Sequence, residues 1–194
     1  MIELANIVGS PLVGPNGRLV KEIRVSPQAA AKTGTLSASF GTKGFPLHTD
    51  TAFLPIPARY IILRAFGDTR RPTTVLSFRQ IVQNCGKHIV GIANRSVWYL
   101  RTPSLSAYCS MRFRESGLSG WRYDRQCMFP ANETAREIAN LLDGSHGALS
   151  VEQIAWSGDC AAVISNWEVL HGRGSEPDLE GERVLERIYV GCRP

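Results

Sequence analysis

Two residues that often bind metals stand close together in the first part of the chain. His48 and Asp50 are separated by a single residue, and in a strand this spacing places both side chains on one face. A second histidine, His171, lies far downstream in a segment that also has the pattern of a strand. Two imidazoles and one carboxylate can occupy one face of an octahedral Fe(II) and leave its other positions open. The three residues are therefore candidate iron ligands, and a core histidine beside an aspartate in a turn is the alternative interpretation.

Two arginines follow His171 in a segment that alternates between apolar and polar residues. Arg183 and Arg187 lie four positions apart in RVLERIYVG, so a strand would place them on one face together with Leu185. If that strand belongs to a barrel, both guanidinium groups point into one cavity, where each can bind a carboxylate with two hydrogen bonds. The alternative interpretation is a solvent-exposed face, balanced by the neighbouring residues Glu180, Glu182 and Glu186.

Short strands dominate the elements that would position these residues. The apolar run RYIILRAF has the length of a strand. Further segments with a β-type pattern are HIVGIA (88–93), SVWYLR (96–101), AYCSMRF (107–113) and AAVIS (161–165). Residues 1–25 are expected to form two extended pieces around a turn at 15–17, and Ser26 with Pro27 is a helix-start signal.

Apolar residues at helical spacing predict two helices. The first covers residues 73–84, with Thr73 or Thr74 as its cap, and the second covers residues 132–142, with Asn132 as its cap. Together with the strands, this pattern predicts a mainly β protein with a few helices, arranged as a sandwich or a barrel.

Composition limits the classes of function. A chain of 194 residues suits a single domain, and the net charge of +5 is spread without a block of Lys and Arg that would indicate nucleic-acid binding. The five cysteines include no CxxC pair, which predicts reduced thiols in the cytoplasm rather than a disulfide framework or a zinc ribbon. No apolar run is long enough to span a membrane, and the sequence is compatible with a homo-oligomer.

Four segments resemble the Fe(II)/2-oxoglutarate-dependent oxygenases. They are FPLHTDTAF, GDTRRPTTVLS, WSGDCAAVISNWEVLHGRG and ERVLERIYV, and they are most similar to the branch that contains taurine dioxygenase and clavaminate synthase. The resemblance covers roughly residues 40–82 and 150–190, which correspond to the two ends of the family's core. It implies a double-stranded β-helix, a jelly-roll and cupin-like fold. A single oxygenase domain, 1–194, would have core strands at about 40–70 and 150–191 and a helical and loop insert at about 100–148.

The resemblance also implies which residues bind the metal and the cosubstrate. His48, Asp50 and His171 would be the iron ligands. Arg183 matches the arginine that binds the far carboxylate of 2-oxoglutarate. Thr74, with Thr73 as the alternative register, matches a threonine whose hydroxyl helps to hold the same molecule.

Two further residues have supporting roles in the family. Arg187 matches a second arginine that faces the substrate or supports the cosubstrate, and Asn166 matches an asparagine five residues before the distal histidine. This chain departs from the family pattern at Trp167, where the family usually has an arginine. The arginines of the middle region, Arg112, Arg114, Arg122 and Arg125, are expected to be exposed to solvent.

The implied activity uses Fe(II), 2-oxoglutarate and O2 to hydroxylate an unactivated carbon, with release of succinate and CO2. The expected substrate is a small molecule, such as an amino acid or a natural-product intermediate, and the two arginines favour one that carries a carboxylate or another anion. Two alternatives are a non-catalytic jelly-roll protein that binds a ligand and an iron oxygenase that uses no 2-oxoglutarate.

Overall fold

The computed structural model describes residues 1–25, 27–31, 36–144, 150–174 and 184–193. Arg183 therefore lies outside the described residues. The strands are β1 (Ser10–Leu12), β2 (Val20–Arg24), β3 (Phe45–His48), β4 (Tyr60–Phe66), β5 (Thr69–Ser77), β6 (Val97–Thr102), β7 (Leu105–Ser110), β8 (Arg112–Glu115), β9 (Leu118–Trp121), β10 (Met128–Pro130), β11 (Glu152–Trp156), β12 (Asp159–Ser165), β13 (Val169–Arg173) and β14 (Val184–Gly191). The helices are α1 (Ile2–Val8), a 3-10 helix (Gln28–Ala30), α2 (Leu36–Phe40), α3 (Phe78–Cys85), α4 (His88–Arg95) and α5 (Glu133–Gly144).

Two antiparallel sheets form the centre of the molecule. In the first, β14 lies between β4 and the short strands β1 and β2, and β12 pairs with the other edge of β4. In the second, the order is β11, β5, β13 and β3. Side chains from both sheets line one cavity, so the two sheets face each other. The predicted class, mainly β with a few helices, is confirmed.

Strand β4 is apolar throughout because both of its faces are covered. Ile61, Leu63 and Ala65 pack in the core cluster between the sheets, whereas Ile62 packs on the outer face, in a cluster that includes Ala5 of α1. Burial on both faces is the usual reason why a strand has a continuous apolar run instead of an alternating one.

A second core lies outside the β5–β13 face. Leu76 of β5 and Leu170 of β13 belong to a buried cluster with residues of α3, α4, α5 and β6, among them Ile81, Ile89, Trp98 and Ile138. Helix α5 agrees with the helix predicted at 132–142, and the side chain of Asn132 accepts a hydrogen bond from the backbone N–H of Ala135 (3.0 Å).

The helix predicted at 73–84 is wrong in its first half. Residues Thr69–Ser77 form β5, and the helix begins only at Phe78, where Ser77 and Gln80 form a reciprocal capping box. Strand β5 pairs on one side with β11 and on the other with β13. These hydrogen bonds to two neighbours, together with the β-branched residues Thr73, Thr74 and Val75, override the helical spacing of the apolar residues.

Two predicted extended segments are helices instead. HIVGIA lies in α4, where the buried residues Ile89, Ile92 and Ala93 follow the spacing of a helix face. Residues 2–8 form α1, because its one buried residue, Ala5, packs over the first sheet.

The middle region contains strands in addition to a helix. Residues 100–148, expected as a helical and loop insert, include β7, β8, β9 and β10 before α5. Among the described residues, none of the helices has the length and apolar character needed to cross a membrane.

Candidate metal centre

Strand pairing brings the two candidate histidines side by side. His48 pairs directly with His171 across β3 and β13, and their ring centres are 4.5 Å apart. Asp50 lies in the turn just after β3. Its carboxylate oxygens are 3.5 Å from Nε2 of His48 and 3.8 Å from Nε2 of His171. One donor atom of each residue thus lies within 4.8 Å of the other two, and all three residues are buried.

Both imidazoles direct their Nε2 atoms at this centre. Nδ1 of His48 donates to the carbonyl oxygen of Pro46 (3.0 Å). In a neutral imidazole this bond places the lone pair on Nε2, which is the arrangement that a metal ligand needs. Nδ1 of His171 is buried and makes no hydrogen bond within the part of the chain that the structure describes.

Charges around Asp50 determine the protonation of the site. Burial alone would raise the pKa of Asp50, but the charge of Arg187 and the neighbouring imidazoles of His171 and His48 outweigh it and hold that pKa well below its usual range. Burial and the neighbouring His48 lower the pKa of His171. Burial also acts to lower the pKa of His48, but Asp50 outweighs it and the pKa is raised.

Arg187 holds the carboxylate of Asp50 directly. Its Nη1 donates to Oδ2 of Asp50 at 2.6 Å, and the two side chains are only 17% and 10% exposed. The guanidinium also lies 4.6 Å from the ring centre of Tyr189. Arg187 is therefore a largely buried partner of the candidate metal ligand.

Asn166 holds the backbone of Asp50. Its Oδ1 accepts a hydrogen bond from the N–H of Asp50 (2.9 Å), and its Nδ2 donates to the carbonyl oxygens of Asp50 (3.0 Å) and Ala58 (2.7 Å). The side chain is fully buried. Thr51, which follows Asp50, has a φ of 57°, a conformation that is uncommon for a β-branched residue. Its Oγ1 accepts a hydrogen bond from the N–H of Ala58 (2.9 Å).

The other side of this turn is held by residues that the sequence analysis did not assign to the site. The backbones of Thr49 and Tyr123 are joined at 2.7 Å, from the N–H of Thr49 to the carbonyl of Tyr123. Arg122, expected to be exposed, is buried and donates to the carbonyl oxygens of Ala52, Leu54 and Pro55. Burial lowers its pKa. The surrounding sequence is polar, so it gives no signal that this guanidinium binds carbonyls.

A cavity that is partly open to solvent extends from the centre between the two sheets. Its polar lining consists of His48, Asp50, Thr73, His171, Arg173 and Arg187. The rest is mostly apolar and includes Ile23, Leu63 and Leu185. Leu185 and Arg187 thus share the inner face of β14, as the alternation predicted.

The cavity distinguishes the two candidate threonines. Thr73 lies on the cavity wall, and its Oγ1 accepts a hydrogen bond from Nε1 of Trp156 (3.1 Å). Thr74 pairs with Gly172 across the strands, and alternation turns it to the opposite face of β5. Its hydroxyl is 2.9 Å from where a Cβ on Gly172 would lie. The threonine that faces the site is therefore Thr73, the alternative register, and not Thr74.

The donor set fits Fe(II). Two imidazoles and one carboxylate on a single side of the ion form the facial arrangement of non-heme iron oxygenases. The buried, paired carboxylate and the tautomer of His48 suit a divalent ion that replaces protons at this centre.

No protein-family model matches the chain, and a search of curated proteins gave no significant match. Solved structures do match. An asparagine oxygenase in complex with Fe(II), 3-hydroxyasparagine and succinate is 19% identical with a TM-score of 0.68, and the alignment covers 95% of this chain and 60% of that one. The non-heme iron oxygenase OrfP with Fe and alpha-ketoglutaric acid is 18% identical with a TM-score of 0.70, and the alignment covers 97% of this chain and 62% of OrfP. The PvcB protein from Pseudomonas aeruginosa is 16% identical with a TM-score of 0.68, and the alignment covers 97% of this chain and 69% of PvcB.

These comparisons establish the fold. Nearly the whole chain superimposes on cupin-like oxygenases, so the predicted double-stranded β-helix is confirmed. The chain spans about 60% of the length of the asparagine oxygenase and of OrfP.

Proposed function

We propose that the protein is an Fe(II)- and 2-oxoglutarate-dependent oxygenase that hydroxylates a small molecule. The observation that carries the proposal is the convergence of His48, Asp50 and His171, with donor atoms within 4.8 Å of one another, at a cavity between the two sheets. The alternative of a core histidine beside a turn aspartate explains neither the second imidazole nor the arginine that holds the carboxylate.

Each part of the site has a task in such a reaction. Bound Fe(II), with 2-oxoglutarate and O2, supplies the oxidation that converts a C–H group to C–OH while 2-oxoglutarate becomes succinate and CO2. His48, Asp50 and His171 hold the ion, and Arg187 and Asn166 fix the carboxylate and the backbone of Asp50. The apolar cavity wall limits the access of water to the reacting groups. Arg183, outside the described residues, and Thr73 are proposed to bind the cosubstrate.

An amino acid is the substrate class that we propose. Nε of Arg187 is buried and makes no hydrogen bond within the described part of the chain, so it can donate to an anionic group beside the metal. The asparagine oxygenase and OrfP structures contain hydroxyasparagine and hydroxy-L-Arg. An amino-acid derivative from a natural-product pathway would offer the same carboxylate.

The proposed setting is a single oxygenase domain in the cytoplasm. All five cysteines are free thiols, which suits a reducing compartment. Assembly as a homo-oligomer and the absence of nucleic-acid and membrane partners stay predictions.

The test is a screen of amino acids with Fe(II), 2-oxoglutarate and O2. We expect succinate to form only when iron is present and one substrate to gain the mass of an oxygen atom, with both signals lost in His171→Ala. An oxygenated product without succinate would instead identify an oxygenase that does not use 2-oxoglutarate. Binding of an amino acid without any turnover would identify a non-catalytic binding protein.

A further inference from the structure

Trp167 is a buried indole at the position where this chain departs from the family pattern. It follows Asn166 in the turn between β12 and β13 and is 3% exposed. Its Nε1 donates a hydrogen bond to the carbonyl oxygen of Pro57 (2.9 Å). Pro57 belongs to the β3–β4 turn, residues 49–59, which also contains Asp50. Asn166 and Trp167 therefore hold this turn from two consecutive positions of the chain.

The ring of Trp167 also contacts the end of the same turn. The guanidinium of Arg59 lies over this ring, with 5.1 Å from Cζ to the ring centre, and at 5.2 Å from the ring centre of Tyr60. A cation over an indole face is attracted by the charge distribution of the ring. The carbonyl oxygen of Arg59 accepts a hydrogen bond from the N–H of Asn166 (2.9 Å). Where the family usually has an arginine, this chain thus has an indole that contacts a guanidinium of the turn.

The β8–β9 hairpin packs against the same indole. Phe113 of β8 meets Trp167 edge to face, with ring centres 5.1 Å apart and an angle of 86° between the planes. The N–H of Trp121, in β9, donates to the carbonyl oxygen of Trp167 (2.9 Å). The guanidinium of Arg122 lies 4.6 Å from the ring centre of Phe113. Trp167 and Arg122 therefore share one aromatic neighbour, and both donate to carbonyl groups of the β3–β4 turn.

The position of Asp50 depends on this turn because the residue lies just beyond its strand. Strand β3 ends at His48, so the pairing that joins His48 to His171 does not include Asp50. Arg187 binds Oδ2 of Asp50 at 2.6 Å, whereas the turn fixes the backbone of the same residue. A shift of the turn would leave the carboxylate paired with Arg187 and would change its place relative to the two imidazoles.

We propose that Trp167 is a positioning residue, which sets the place of the Asp50 carboxylate by holding the β3–β4 turn at Pro57 and Arg59. This inference rests on the proposed function, because the carboxylate needs a defined place only if it shares an ion with His48 and His171. It gives a role in the site to a residue that touches none of the three candidate ligands through its side chain. It also explains why an indole can stand at this position.

The test replaces Trp167 by an aromatic ring that lacks the N–H group. Trp167→Phe keeps an apolar ring in the core but cannot donate to Pro57. Calorimetric titration measures the affinity for Mn(II), and the electron paramagnetic resonance spectrum of bound Mn(II) reports the symmetry of its ligands. We expect an affinity about tenfold lower than that of the wild type and an altered spectrum, in protein that circular dichroism shows to be folded.

Trp98→Phe is the matched control. Trp98 is also buried, and its Nε1 donates to Oγ of Ser96 at the same distance, 2.9 Å. Ser96 lies outside the β3–β4 turn. The control thus removes the same group from a buried hydrogen bond, so it should lower the stability against urea while the affinity for Mn(II) and the spectrum stay as in the wild type.

The outcomes separate this role from a purely structural one. Wild-type affinity and spectrum in Trp167→Phe, or equal losses of affinity in Trp167→Phe and Trp98→Phe, would overturn the role of Trp167 and leave the proposed function intact. Wild-type protein that does not bind Mn(II) would overturn both.

Arg59→Gln decides the question if Trp167→Phe does not fold. Arg59 is only partly buried, and its substitution removes the guanidinium that lies over the indole. The same change of the Mn(II) spectrum with a smaller loss of affinity would support the proposal, whereas a wild-type spectrum and affinity would overturn it.

Discussion

The carboxylate of Asp50 lies at the middle of the candidate centre. It contacts two imidazoles and Arg187, while Asn166 binds its backbone. Groups that interact this strongly titrate together, so the loss of one partner changes the protonation of the others. Substitutions of single residues are therefore best compared by metal affinity and by pH dependence.

Removal of one imidazole should abolish tight metal binding. In His171→Ala the centre keeps only two donors, and we expect the affinity for Fe(II) or Mn(II) to fall by about a hundredfold or more. Metal titration followed by calorimetry measures this loss. His88→Ala, which removes an exposed histidine of α4, should bind the metal like the wild type. Wild-type affinity in His171→Ala would show that this residue is not a ligand.

The buried ion pair of Arg187 and Asp50 should support the stability of the metal-free protein at neutral pH. Removal of one partner leaves a buried charge, and Arg187→Gln is expected to lower the free energy of unfolding by about 3 kcal/mol. Arg64→Gln is the matched control. Arg64 donates two hydrogen bonds to Asp159, at 2.8 and 2.7 Å, in an exposed pair, and such a pair contributes less than about 1 kcal/mol.

The effect of Arg187→Gln should depend on pH. The pKa of Asp50 is lower in the folded protein than in the unfolded chain. The ionised carboxylate therefore stabilises the fold fully at a pH above its pKa in the unfolded chain, and this stabilisation is lost as the pH falls through its pKa in the folded protein. The difference between wild type and variant should be largest at pH 7 and should shrink below about pH 4. Urea unfolding over this range checks it, and a constant difference would show that Arg187 acts through packing alone.

At the level of the elements, the site depends on the turn that joins β3 to β4. Asn166 closes this turn with three hydrogen bonds. Asn166→Ala should lower the free energy of unfolding by about 3 kcal/mol, because buried backbone groups lose their partners. It should also weaken metal binding about tenfold, since Asp50 is no longer held. Denaturant unfolding and metal titration measure the two effects.

Asn84→Ala provides the comparison for this prediction. Asn84 is an exposed residue of α3, and its substitution should change the free energy of unfolding by less than about 0.5 kcal/mol. If Asn166→Ala loses stability but keeps wild-type metal affinity, the asparagine supports the fold and not the position of Asp50.

Sequence patterns predicted the helices and strands whose buried residues are periodic in the chain. They failed for the segment whose conformation depends on hydrogen bonds to distant strands. The strand at 60–66 and the helix at 133–144 follow directly from their apolar residues. The segment 73–77 has the apolar spacing of a helix, and only its hydrogen bonds to β11 and β13 make it a strand. Those partners lie far away in the chain, so local spacing could not reveal them.

The candidate site also contains residues that motifs predicted and residues that only the structure reveals. His48, Asp50, His171, Asn166 and Arg187 were predicted as a group from motifs, and the structure places them in contact. The role of Arg122 was not predicted because its partners are backbone carbonyls, which every residue has and which therefore give no sequence pattern. The choice between the two threonines also needed the structure, since it depends on the face of one strand.

For the whole molecule, metal and cosubstrate should stabilise the fold together. A ligand at 100 times its dissociation constant adds about 2.7 kcal/mol, which raises the midpoint of thermal unfolding by about 5–10 °C for a chain of this size. We expect 2-oxoglutarate to produce this shift with Mn(II) and only a small shift without it. Thermal unfolding followed by circular dichroism checks this, and an equal shift without metal would mean that 2-oxoglutarate binds away from the centre.

The long separation between Asp50 and Asn166, 116 positions apart in the chain, has a consequence for biosynthesis. Proteins dominated by such distant pairings fold slowly, on about the millisecond-to-second scale, and the turn that holds Asp50 lacks its partner until residue 166 has left the ribosome. His171 emerges later still. A nascent chain can therefore display the HTD segment, residues 48–50, while the third candidate ligand is still missing, so metal loading has to wait until residue 171 has been synthesised.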